Sequence, residues 1–155
     1  MSLRVKNMSF HFPLHALLHY RQSIEHQEEI RLRAANQQVA RVQHAIDQID
    51  LRGRELLSTA DAQLVSGISA AELQFGLLLE ASWLQQRKEL ELQLTRVKHL
   101  GDQQRAIFQQ ARQARETLES VRDQQLQLYR KEAMRRAQRS LDDLFLMRWE
   151  FLRRS

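Results

Sequence analysis

Three histidines near the start of the sequence, His11, His15 and His19, recur every four residues. On a helix His15 and His19 share one face, and two imidazoles at that spacing can hold a metal ion. A HExxH site adds a glutamate and a further ligand, and neither is placed for it here, so a surface or packing role is expected and no metal is assigned. Ser, His and Asp all occur, but a nucleophilic triad must be aligned in a concave pocket, which a pair of long helices is not expected to offer. No Gly-rich phosphate loop is present, which excludes a P-loop nucleotide site. The carboxylates sit at helical spacing from basic residues, as in Glu28 and Arg31, and read as ion pairs rather than acid–base groups. The chain has no cysteine. Disulfides, thiolate metal sites and thiol nucleophiles are therefore absent, which fits a reducing compartment. The expectation is a non-enzyme with no cofactor and no small-molecule substrate.

The elements that carry these residues follow from the breakers. Among 155 residues there are four glycines and one proline, too few for collagen-like, turn-rich β or low-complexity chains. A mean hydropathy of −0.56, with no apolar run of about 18 residues, excludes a membrane span. Met1 to Phe10 has basic residues but no apolar core or cleavage site, so no secretory signal is visible. Residues 1–12 are read as an extended N-terminal segment, with residues 1–7 as an upstream start or an added extension. Pro13 suits a first helical turn, so the first helix is placed at 13–59. Its three-four alternation runs Leu18, Arg21, Glu25, Glu28, Leu32, Ala35, Val39, Val42, Ile46, Ile49, Gly53, Leu56, with three charged residues in a weaker first half and a clean apolar second half. Steps of three and four define a heptad seam. The pattern dissolves at 60–69, a hinge with Gly67 as its turn residue. Ser69 with Glu72 three residues later reads as a capping box, opening a second helix over 70–152.

The fold class expected is therefore all-α, a long antiparallel two-helix coiled-coil hairpin whose second helix is much longer than its first, forming a single domain over 1–155. Matching the seams suggests that Leu56 faces Leu73, Ile46 faces Trp83, Val39 faces Leu90, Gly53 faces Gly76 and Glu28 faces Gly101. In that register the second helix is unmatched beyond about Leu118. Leu51, Leu57, Leu78 and Leu79 fall off the seam and should be exposed near the hinge.

Charge is uneven. Residues 1–129 hold 16 Lys/Arg and 15 Asp/Glu, while 130–155 hold 8 and 4. Arg130, Arg135, Arg136 and Arg139 lie among the basic residues of this tail, interleaved with an apolar stripe including Leu141, Leu144, Phe145, Trp149 and Leu152. Such a segment attracts an acidic protein surface, anionic lipid or nucleic acid, or is simply a solvated face. A structural coiled coil or a nucleic-acid-binding one is the alternative function. No basic-region or stacking-module signature accompanies the arginines, so nucleic acid is not the expected partner.

Three stretches, in order, resemble the FliJ family of flagellar export proteins: Phe10-His-Phe-Pro-Leu-His-Ala-Leu-Leu-His-Tyr-Arg21 followed by Glu25, Gly67-Ile-Ser-Ala-Ala-Glu-Leu73, and Arg112–Glu119 with Arg130–Leu144. The likeness covers about residues 8 to 147. It implies a stalk-like coiled coil, similar to that of rotary ATPases, that links the hexameric flagellar export ATPase to the cytoplasmic domain of the export-gate membrane protein and assists type III flagellar protein export, with substrate chaperones as further partners. The implied location is cytoplasmic, peripheral to the inner membrane at the flagellar base. The resemblance assigns gate contact to Leu79 and Trp83, with Leu51 and Leu78 beside them. It assigns ATPase contact to Arg130, Arg135, Arg136, Arg139, Leu144, Phe145 and Trp149.

Overall fold

The computed structural model describes residues 9–154. Most of the expected extended segment, and the question of residues 1–7, lie outside them. Two helices are present, α1 (His15–Ser66) and α2 (Ala70–Arg154), forming an all-α hairpin with the longer helix second. Pro13 occupies a turn just ahead of α1, where its missing N–H costs nothing, and the His15 amide donates to the Phe12 carbonyl at 3.1 Å. Helix α1 continues past 59 to Ser66, so the break between helices is only Gly67, Ile68 and Ser69. Gly67 takes φ +87°, a left-handed conformation that only glycine adopts cheaply. Ser69 then caps α2 reciprocally. Its amide donates to the Glu72 carboxylate at 2.7 Å, and the Glu72 amide donates to Ser69 Oγ at 3.3 Å.

The chain divides into two contact units, one of residues up to Ile24 and from Ala111 on, the other of Glu25–Gln110. In the second unit the less exposed positions of α1 are dominated by Glu28, Leu32, Ala35, Val39, Val42, Ile46, Ile49 and Gly53. Those of α2 are Trp83, Arg87, Leu90, Leu94, Val97, Gly101, Gln104 and Phe108. Both sets step by three and four, as the 3.5-residue repeat of packed helices requires. Val42 and Ile46 are its buried hydrophobic side chains. Glu28 is buried too; Gln104 donates to its carboxylate at 2.6 Å and Arg31 pairs with it at 2.6 Å, so the charge is satisfied where a lone one would be costly.

The register differs from the expected one. Trp83 packs against Gly53, not Ile46, seven residues along α1. Glu28 meets Gln104 rather than Gly101, and Gly101 lies beside Val39. Leu56 and Leu73 are both exposed, and nothing approaches Gly76. A heptad seam matches almost equally after a slide of one repeat, so apolar pairing alone cannot choose. The decisive feature is size: a Cβ on residue 53 would stand 2.8 Å from the Trp83 indole nitrogen, so only glycine admits the ring there.

In the other unit Phe12, Leu18 and Ala111 are buried, and the Phe10 and Tyr129 rings meet at 5.6 Å. The less exposed positions of α2 here run Ala111, Arg115, Leu118, Arg122, Gln125, Tyr129. The covered part of α2 therefore extends to Tyr129, past the Leu118 limit expected, and every described residue after Tyr129 is exposed.

Three carboxylates titrate below their ordinary range. Asp50 is lowered by its hydrogen bond from Arg87, Glu72 by the Ser69 backbone and hydroxyl, and Glu116 by Arg112. Each binds its proton more weakly folded than unfolded. Their stabilisation is complete above the unfolded values, near pH 4, and is lost as pH falls through the folded ones. Thermal melts followed by circular dichroism should show a midpoint that is flat from about pH 7 to 5 and declines below about pH 4.

Candidate functional site

Beyond Gly53 and Trp83 the two helices stop packing. Residues 54–67 and 69–82 are all exposed. The cause is the residue type at each seam position. Continuing the α1 phase past Gly53 presents Leu56, Ala60 and Gln63, and running α2 back from Trp83 presents Glu80, Gly76 and Leu73. A carboxylate, an amide and two small residues give little to bury, while Leu57, Leu64, Phe75 and Leu79 lie to the sides. The result is a groove of about 720 Å³ within the Glu25–Gln110 unit, lined by apolar side chains including these four and closed at its base by Trp83. The absence of any concavity expected from sequence is thus corrected: there is one, but no Ser-His-Asp grouping lines it.

Trp83 fixes that base. Its indole N–H donates to the Ile49 carbonyl at 2.6 Å, an interhelical bond in a half-buried setting. One turn on, Arg87 Nε donates to Asp50 Oδ1 at 2.7 Å, and the same guanidinium also pairs with Glu91. The carboxylates raise the already high Arg87 pKa further.

The gate-contact residues suggested by resemblance divide. Leu79 and Trp83 line the groove; Leu51 and Leu78 do not, though both are exposed, at 48% and 65%. Leu64 and Phe75 lie outside the expected seam and the family motifs' contact strip, yet both line the groove, and Phe75 is 68% exposed. The signal was available in the composition. No Lys or Arg occurs between Arg54 and Arg87, while Glu55, Asp61, Glu72 and Glu80 do, so this end is apolar and acidic.

The other candidate surface is the end of α2. Leu144, Phe145 and Trp149 are 60%, 77% and 58% exposed. Arg136 pairs with Glu132 at 3.0 Å, and the Arg153 guanidinium lies 5.7 Å from the Trp149 ring centre. Arg130, Arg135, Arg139 and Arg148 have no carboxylate partner among the described residues. At about 100° per residue, Leu144, Phe145, Leu146, Met147, Trp149, Phe151 and Leu152 spread around most of the helix. An apolar stripe on one side suits a flat partner. A helix apolar nearly all round suits an enclosing one.

His11, His15 and His19 are all exposed, and no group of three or more His, Cys, Asp or Glu is arranged for a metal among the described residues. No described helix is long and apolar enough to cross a membrane.

A family model described as Flagellar FliJ protein matches residues 10–152. No curated protein and no solved structure matches the chain. The matched span takes in α1, the Gly67 turn and all of α2 but its last two residues, and so nearly all of the exposed basic end. The chain belongs to the flagellar FliJ protein family, and is a component of flagellar protein export.

Proposed function

We propose that this chain is a stalk-like link between the flagellar export ATPase and the export gate. The end of α2 is the ATPase contact, through Arg130, Arg135, Arg136, Arg139, Leu144, Phe145 and Trp149. The turn end is the contact for the cytoplasmic domain of the gate protein, through Leu79, with Leu51 and Leu78 on the flank. Trp83 acts there as the floor of the groove rather than as a projecting contact, because its indole is already engaged by Gly53 and Ile49. Substrate chaperones are further partners, and the site of action is the cytoplasmic face of the inner membrane at the flagellar base.

The observation that carries this reading is the exposure of every described residue beyond Tyr129 on a helix whose apolar side chains point in nearly all directions. Large apolar surfaces of that kind mark sites of association, and a ring lumen covers a helix from all sides. Basic side chains interleaved with the apolar ones would steer the helix into an acidic opening. A helix held in this way biases the ring only where its contacts differ between ring states.

The test is a binding titration of the purified chain against the export ATPase hexamer and, separately, against the gate domain. A chain ending at Tyr129 should lose ATPase binding, keep gate binding, and retain the thermal midpoint of the full chain. Undiminished ATPase affinity in the shortened chain would reject the assignment of the tail.

A further inference from the structure

We infer that the chain associates with a second copy of itself, the end of α2 from one copy lying in the turn-end groove of another. Two apolar surfaces are uncovered among the described residues, the turn-end groove and the end of α2, and surfaces of that kind mark sites of association. The groove is open, apolar and walled by Leu57, Leu64, Phe75 and Leu79 over Trp83. It lies in a segment, 55–86, that carries four carboxylates and no Lys or Arg. Residues 130–155 carry eight basic and four acidic side chains, and their described part is an exposed helix bearing Leu141, Leu144, Phe145, Trp149 and Leu152. The two surfaces are complementary in hydrophobicity and opposite in sign, four net charges each, by subtraction of those counts.

The geometry of the groove also selects its occupant. Two helices that have stopped packing present apolar side chains from both walls, and a third helix laid between them buries all three faces, the helix-in-groove mode of recognition. Glu72 and Glu80 line the groove and Asp61 lies on the α1 wall segment, with no Lys or Arg nearby in the sequence to offset them, which favours a cationic entering helix. The second copy supplies such a helix at equal concentration. The contact joins two different patches: made reciprocally it closes a two-fold pair, and made in one direction only it is heterologous and extends into a chain of copies. In both cases it covers the groove and the basic helix while no other partner is bound. Neither the ATPase nor the gate assignment is needed for this association.

The experiment is sedimentation velocity of the full-length chain across about a hundredfold range of concentration, at low and at high salt. Three full-length variants accompany it: Asp61→Arg with Glu80→Arg; Arg135→Glu, Arg139→Glu and Arg148→Glu together; and all five changes combined. Ser69 and Glu72 are left intact so that the α2 cap is preserved. The unmodified chain should shift to larger species with concentration and revert in high salt. Either charge-reversed set should weaken association at least tenfold, and an equimolar mixture of the two sets, or the five-change chain alone, should restore it. A single monomeric species at every concentration overturns the inference. So does association that survives both reversals, or that is not restored when the charges are exchanged. Circular dichroism of each variant separates loss of contact from loss of helix.

Discussion

Trp83→Ala should lower the unfolding free energy by about 2–4 kcal/mol, whereas Trp149→Ala should change it by less than about 0.5 kcal/mol. The two tryptophans share a helix and a residue type and differ only in surroundings. Trp83 is half-buried, fills the space left by Gly53, and donates its indole N–H to the Ile49 carbonyl. Removing it exposes α1 backbone, leaves a cavity at the end of the seam, and abolishes an interhelical hydrogen bond. Trp149 is 58% exposed, with the Arg153 guanidinium over its ring. Urea unfolding monitored by circular dichroism measures both changes. Equal losses would mean that Trp83 is not the closing residue of the seam. Gly53→Ala makes the converse case. Alanine gains about 1 kcal/mol of helix propensity over glycine, but the added methyl group must displace the indole, and overpacking of this kind costs about 1–3 kcal/mol. A net loss is expected, larger still for Gly53→Leu.

The second large effect concerns binding. Phe145→Asp with Trp149→Asp should weaken ATPase binding at least about a hundredfold, and the deficit should persist in high salt. Replacing Arg135, Arg136 and Arg139 by Gln should weaken it about tenfold in low salt and much less in high salt. The contrast follows from what each group contributes. Aromatic anchors that become fully desolvated dominate association energies, at about 2 kcal/mol or more each. Exposed cations act mainly through long-range attraction that salt screens over about 8–10 Å. Fluorescence anisotropy of a labelled chain, titrated with ATPase hexamer at two ionic strengths, gives both numbers. If arginine and aromatic variants lose affinity equally at all salt concentrations, the helix end is not being enclosed as proposed.

Much of the fold is legible in the residues. The seam of α1 can be read from Leu32 to Gly53 because apolar steps of three and four, in a chain so poor in breakers, are the mark of one helix packed along another; before Leu32 the same spacing carries Arg21, Glu25 and Glu28 and is weaker. The Ser69–Glu72 cap and the Gly67 turn are legible because each is set by chemistry within a few residues. What cannot be read is long-range. The register slips by one repeat because Val, Leu and Ile are interchangeable along a heptad seam. Gly53 resembles a gap to be matched with Gly76, when it is the seat of Trp83. The expected seam runs one step too far, to Leu56, because leucine at the right spacing gives no warning that its partner side offers glycine and glutamate. The groove is hidden by that same failure. Its walls emerge only on asking where apolar density is high while basic residues are missing, a question about composition rather than period.

The packed pair of Gly53 and Trp83 has a mechanical meaning for the hairpin. Repeating sequence along an interface resists pulling the helices apart more strongly than it resists sliding one past the other, because each seven-residue step, about 10 Å of travel, finds an equivalent set of neighbours. A ring seated over the absence of a side chain works as a detent: displacement by one step toward Ile46 would force the indole against a branched aliphatic residue, and the opposite step, toward Ala60, would carry it off the packed part of the seam. Axial load applied to either strand is then transmitted rather than dissipated as slippage, and a single methyl group at position 53 would be enough to loosen that grip.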